Sequence, residues 1–309
     1  VGTAFGEARY SWPPAELTEI HGQNGPLVAV GVLPHANEPL GSAFTSTLPS
    51  YGGPHGRIAL IGPIDPPPAA RRFGFPVDPV GYAAAGYLQP LADQAEFAHC
   101  RVPMTLAQMR AARLRDQLEE LRPDAFVLLH NDVGAVSPYL YANRVWPEVT
   151  ARLRAFCPPP VLGATWTHVL DTFTYAFFPA SRIGVVQSEC AGKYIEEELG
   201  IRTLTVELPM FAWATRDPAR HAVAKAMGEW IARGASHGGD TDRLVREVSA
   251  AVGDRHVPMV SAQTSARVVW AALTGVFETL TEDSWPYAAP NRDSRVGGAT
   301  WEKFTFTSS

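Results

Sequence analysis

The chain predicts an α/β fold: one domain with a central, mixed but mostly parallel, twisted sheet, helices on both faces and a helical C-terminal portion. Three observations predict it. Apolar runs of strand length recur as LVAVGVL at 27–33, RIALIGPI at 57–64 and AFVLLH at 125–130. Such unbroken runs suit strands covered on both faces, as parallel strands are. A stretch of helical period, 105–121, separates the second run from the third, and crossover helices are what parallel strands require. Finally, IRTLTVEL at 201–208 alternates and is β-branched, as a strand should be.

Taken in order, 1–26 is mixed and proline-containing, with a short helix expected around 14–21. The first buried strand stops at Pro34, which has no N–H to give a ladder. The loop HANEPLG follows, and 42–51 is expected to start helical and end near Pro49. Glycines at 52, 53 and 56 make a turn into the second buried strand, which Asp65-Pro66-Pro67-Pro68 stops. The stretch 69–103 shows no clear period and reads as a long functional loop with short elements. Thr105, with Gln108 three residues on, is a capping box for the helix 105–121. Leu106, Met109, Leu114, Leu118 and Leu121 are expected to form its apolar face. Helices are expected over 146–156 and 189–199, and a further strand over 161–165. Beyond 215 the chain turns helical. Asp217-Pro218 opens a helix that Gly234 ends, and two more are expected over 242–252 and 262–280. The division is a catalytic α/β core over 1–215 and a helical portion over 216–309.

Composition narrows the function. Apolar residues make up 46% of the chain, enough for a large core, and the net charge of −5 comes without a basic block. Nucleic acid is therefore not the expected partner. No apolar run is long enough to span a membrane. Three cysteines without C-x-x-C spacing suggest reduced thiols and a cytoplasmic protein. No signal peptide is visible, but the chain begins at Val1 rather than Met, so secretion stays open.

Strand ends supply the chemistry-bearing residues. His35 and Glu38 follow the first strand, His130 ends the third, and Glu207 lies in the last. Sites in open α/β sheets are built at such ends. Two histidines and a glutamate leave a fourth zinc position open, the arrangement of a catalytic rather than a structural zinc. A carboxylate that does not bind the metal can take a proton from the metal's water. Each pair alone has a plain alternative, a loop histidine beside a surface glutamate.

HANEP at 35–39, LLHND at 128–132 and TVELP at 205–209 resemble the three signature segments of the zinc carboxypeptidase superfamily. That group includes metallocarboxypeptidases and aspartoacylase-like amidohydrolases. The resemblance implies Zn2+ bound by His35, Glu38 and His130, with Glu207 as general base. It implies hydrolysis of an amide or peptide bond in a small peptide or acyl-amino acid. HANEP looks closer to the amidohydrolase branch, so an N-acyl-amino-acid deacylase is one alternative, and a non-catalytic zinc-binding protein of the same fold is another. The family's Asn-Arg pair, which holds a substrate carboxylate, has no counterpart between Glu38 and His130. Arg71 and Arg72 are the expected substrate-binding residues there, since a guanidinium matches a carboxylate bidentately. The plain alternative for both is solvated loop charge. Asn143-Arg144 comes after His130, on the wrong side for that role. Gln94 and Glu96, in the long loop, are candidates to reach substrate. A homodimer is left open.

Overall fold

The structure is a computed structural model that describes residues 17–53, 55–66, 77–86, 88–90, 93–99, 102–142, 146–156, 191–233 and 241–282. Six strands form one sheet: β1 (Leu17–His21), β2 (Leu27–Gly31), β3 (Arg57–Gly62), β4 (Ala125–Asp132), β5 (Tyr139–Tyr141) and β6 (Arg202–Pro209). Their order across the sheet is β1-β3-β2-β4-β6-β5. The central four strands are parallel, and β1 and β5 close the two edges antiparallel. All five residues of β2 are buried, as are the first seven of β4, which is why their sequences lack alternation.

After β2 the chain passes to one neighbour, β3, and later to the other, β4. The strand order therefore reverses between β2 and β4, where a crevice opens at the carboxyl ends of parallel strands. The loop that leaves β2 carries His35 and Glu38, and the carboxyl end of β4 carries His130.

Helices cover both faces. On one face lie α2 (Leu106–Leu121) and α4 (Ala191–Leu199), packed on Ala29, Phe126 and Leu128. On the other lie α1 (Pro79–Ala84), α3 (Pro147–Leu153), α5 (Ala219–Arg233), α6 (Thr241–Val252) and α7 (Ala262–Glu282). These share one core with Val28, Val30, Val127 and Val206, so the helical C-terminal portion is packed on the sheet. Gly275 lets α7 lie directly on α3, because a Cβ there would stand 2.6 Å from the Val149 backbone. The Asp217 carboxylate accepts the Ala219 N–H at 2.9 Å and so starts α5.

Some expectations need correction. Residues 17–21 are an edge strand, not part of a helix; pairing with β3 overrides a weak local preference. The segment after the site loop, Leu40–Ser50, is a 3-10 helix. Its Ser and Thr hydroxyls at 42, 45, 46, 47 and 50 each donate to the carbonyl three residues back. Helix α2 has the expected capping box, with Gln108 N–H donating to Thr105 Oγ1 at 3.2 Å. Its buried face, however, is Ala107, Ala111, Leu114 and Leu118. Leu106 and Met109 point to solvent, 70% and 51% exposed. Small alanines let the helix approach the sheet, whereas residues 106 and 109 fall on the far side of a 3.6-residue turn. Strand β5 carries too short a pattern to be read. The expected strand 161–165 lies outside the described residues.

Candidate metal centre

His35 and Glu38 stand on the loop that leaves β2, and this loop is fastened to the end of β4. Leu40 N–H donates to Asn131 Oδ1 at 2.9 Å, and Asn131 N–H donates to Glu38 Oε2 at 2.9 Å. Gly41 permits the close approach: a Cβ there would sit 2.6 Å from the Leu129 Cβ, one residue before His130. Leu33, just before the loop, adopts φ +52°, a strained conformation for a leucine that turns the chain toward the site.

The four side chains predicted to act together do converge. His35 and His130 lie with ring centroids 4.9 Å apart, their planes close to perpendicular. Glu38 grips both rings by one edge, with Oε1 2.8 Å from His35 Nδ1 and Oε2 3.1 Å from His130 Nδ1. Glu207 stands directly opposite His130 in the β4–β6 register, and Tyr139 stands opposite Glu207 in β5–β6. The Tyr139 hydroxyl donates to Asp132 Oδ2 at 2.9 Å, and Asp132 also accepts the Gly134 N–H.

A fifth residue completes the cluster. Glu96 sits on a short 3-10 turn, Ala95–Phe97, within the long irregular stretch. Its Oε2 lies 2.9 Å from His35 Nε2 and 3.6 Å from His130 Nε2. The sequence marked Glu96 only as a residue that could reach substrate; no spacing rule ties it to a histidine 61 positions earlier. Arg71 and Arg72 lie outside the described residues. His55 is exposed before the start of β3, stacked on Phe277, at the opposite end of the strands from the site. Tyr194 lies on α4 and stacks on His99, with ring centroids 4.7 Å apart.

The electrostatics follow from burial. Each of the five side chains belongs to a residue no more than 9% exposed. Burial pushes the imidazole of His130 down, but Glu96 and Glu38 outweigh it and hold the ring at about 9. His35 is likewise raised well above its usual value: burial opposes, and Glu38 and Glu96 prevail. Burial pushes Glu38 and Glu96 up, and the two imidazoles more than reverse this, so both carboxyls lie below their usual range. Glu207 goes the other way. Burial lifts it, and among the negative charges Glu38 acts first, then Asp132 and Glu96; only His130 opposes, and the carboxyl reaches about 8.

The donor set fits a divalent cation. Two protons on the imidazoles now balance the charges of Glu38 and Glu96, and a divalent ion would replace them charge for charge. Ligand atoms around a tetrahedral zinc stand about 3.3–3.5 Å apart, from bonds of ~2.0–2.2 Å. The imidazole pair presents a carboxylate on each of two edges. On one, the Nδ1 atoms face Glu38. On the other, the ligand atoms of His35, Glu96 and His130 all lie within 4.8 Å of one another. Both Nε2 atoms there face Glu96 Oε2, His35 at 2.9 Å and His130 at 3.6 Å. An ion on either edge leaves the opposite carboxylate to receive the ring N–H groups, the outer contact that orients metal-bound histidines.

No family model and no curated protein matches the chain. Solved structures do. A metallo-carboxypeptidase from Burkholderia cenocepacia is 12% identical with a TM-score of 0.47, the match covering 85% of this chain and 60% of that one. A succinylglutamate desuccinylase from Silicibacter sp. TM1040 is 15% identical, TM-score 0.34, covering 68% of this chain and 57% of that one. A succinylglutamate desuccinylase/aspartoacylase from Rhodobacter sphaeroides is 16% identical, TM-score 0.33, covering 72% and 62%. The chain thus spans about three fifths of the length of these structures. The chemistry of the site follows from its side chains rather than from these likenesses.

Proposed function

We propose that the protein is a zinc-dependent hydrolase of an amide or peptide bond. The observation that carries the reading is the meeting of His35, Glu38 and His130 in one buried cluster, with Glu207 on the adjoining strand. His35 Nδ1, His130 Nδ1 and Glu38 would hold the ion, and Glu96 would receive the Nε2–H groups. Glu207 favours this edge, because the charge of Glu38 bears on it more than that of Glu96. A zinc ion there would acidify a water and polarise the scissile carbonyl.

The chain's own residues would do the rest. Glu207 takes the proton from the attacking water, holds it on its carboxyl and passes it to the leaving amine nitrogen. Burial beside Glu38, Asp132 and Glu96 raises the Glu207 carboxyl in the metal-free protein, which favours its holding a proton once it has been taken. Tyr139 stands opposite Glu207 in the sheet and is bonded to Asp132. Arg71 and Arg72 remain the proposed grip for a substrate carboxylate.

The closeness of the His35, Glu96 and His130 ligand atoms, all within 4.8 Å of one another, favours a second placement, in which Glu96 is the ligand and Glu38 the outer partner. Zinc titration of Glu38→Gln and Glu96→Gln separates the two placements. The hydrolase reading itself is tested on zinc-loaded protein with a panel of short peptides and N-acyl-amino acids. Turnover that disappears in Glu207→Gln while zinc is retained supports it, and preference for acyl-amino acids selects the deacylase form. Zinc uptake without turnover of any of these substrates favours the non-catalytic alternative. Full turnover in Glu207→Gln removes the mechanism.

A further inference from the structure

Beneath the cluster lies a carboxylate that the proposed chemistry does not use. Asp65 follows β3 and is fully buried. Burying a charge is costly unless it is paired and hydrogen-bonded, and Asp65 is bonded to two separate segments, one of them cationic. Oδ2 accepts the Ala95 N–H at 2.8 Å, immediately before Glu96. Oδ1 accepts Arg110 Nη1 on α2 at 3.1 Å. Its backbone N–H donates to the Leu33 carbonyl at 2.9 Å, two residues before His35. One residue therefore ties together the approach to His35, the turn that presents Glu96 and the helix behind both. The remaining support for the Glu96 turn is slighter: Gln94 Nε2 donates to the Gln89 carbonyl, while Gln89 Oε1 accepts the Ala36 N–H at a long 3.3 Å.

We propose that Asp65 and Arg110 are positioning residues for the metal centre, setting Glu96 and the His35 turn at the spacing a cation needs. The inference rests on the metal-centre reading above. Neither residue reaches the imidazoles; both act through Ala95 and Leu33. Partners bonded directly to a metal ligand typically change its affinity ~10–100-fold when altered; Asp65 and Arg110 stand one step further out, so the low end of that range is expected. Either placement of the ion leaves the inference intact, because Glu96 touches the imidazoles in both.

The test is zinc affinity, measured by competition with a chelator of known strength, on the parent protein and on Asp65→Asn, Arg110→Met and Arg110→Lys. The absorption spectrum of the Co2+-loaded proteins provides a second readout of ligand geometry. The expected result is about 10-fold weaker zinc binding in Asp65→Asn and Arg110→Met, with an altered Co2+ spectrum and an unchanged far-UV spectrum. Arg110→Lys should restore most of the affinity, since it keeps a cation for Asp65 to hold. If Asp65→Asn fails to fold, Arg110→Met decides, because that side chain is 32% exposed and its loss leaves the core filled. A parent that binds zinc and an Arg110→Met protein that binds it equally well, with the same spectrum, overturn the inference alone. A parent that takes up no zinc overturns the metal-centre reading and this inference with it.

Discussion

Glu38 and Glu96 differ in the way they reach the same two histidines. Glu38 comes from a loop fixed at both ends, leaving buried β2 and held to β4 by Asn131 and by the close approach at Gly41. Glu96 comes from a three-residue turn in a long irregular stretch, held chiefly through a carboxylate under it. Both are 7% exposed and both touch both rings. The contrast teaches that burial and contact do not by themselves assign a ligand. What separates the two carboxylates is the company on each edge: Glu207, Asp132 and Tyr139 bear on Glu38, whereas Asp65 and His99 stand on the side of Glu96.

The largest expected effect is on metal binding. Glu38→Gln should weaken zinc affinity beyond the ~100-fold ceiling for an outer partner, and Glu96→Gln should stay within ~10–100-fold. Titration of both proteins under one buffer checks this, and the reverse order would exchange the roles of the two carboxylates. Glu207→Gln should bind zinc like the parent and lower turnover by at least ~10²–10⁴-fold, the usual worth of a general base. A variant that loses zinc instead would place Glu207 among the ligands.

The fastening of the Glu38 loop is tested by Gly41→Ala. The added Cβ meets Leu129 at 2.6 Å, so about 1–3 kcal/mol of stability should be lost in denaturant unfolding. Tyr139→Phe removes one hydrogen bond from Asp132, which keeps the N–H groups of Gly134 and Ala135. That change should cost only about 1 kcal/mol.

The zinc-free protein should also lose stability as pH rises. Glu207 titrates near 4.5 when unfolded and at about 8 when folded. His130 moves from 6.5 to about 9. In both cases the native state holds a proton that the unfolded chain has released, so unfolding free energy falls as pH climbs from about 5 to 9. Thermal midpoints of zinc-free protein should therefore drop between pH 6 and pH 9. A midpoint that rises over that range would contradict the charge balance described for the cluster.

Much of this was legible in the sequence because it is local. The strand β2 and the pair His35/Glu38 lie within a dozen consecutive residues, although the strand ends at Gly31 rather than at Pro34. His130 and Glu207 each sit in a run that reads as a strand without help from elsewhere. The capping box of α2 is four residues long. What escaped was set by tertiary contact. The edge strand at 17–21 exists because β3 offers it a partner. The buried face of α2 is built on alanines, which carry little hydrophobic signal but allow close approach. Glu96 is brought to the histidines by Asp65, Ala95 and a turn with no period of its own, and nothing in the neighbouring residues announces it.

The most direct measurement is the position of the ion. Crystals grown with zinc, with data collected at its absorption edge, should show one anomalous peak ~2.0–2.1 Å from His35 Nδ1 and His130 Nδ1 and beside the Glu38 carboxylate. A peak beside the Nε2 atoms and Glu96 would contradict the assignment of Glu38 as ligand, and no peak between the two rings would contradict the metal centre itself.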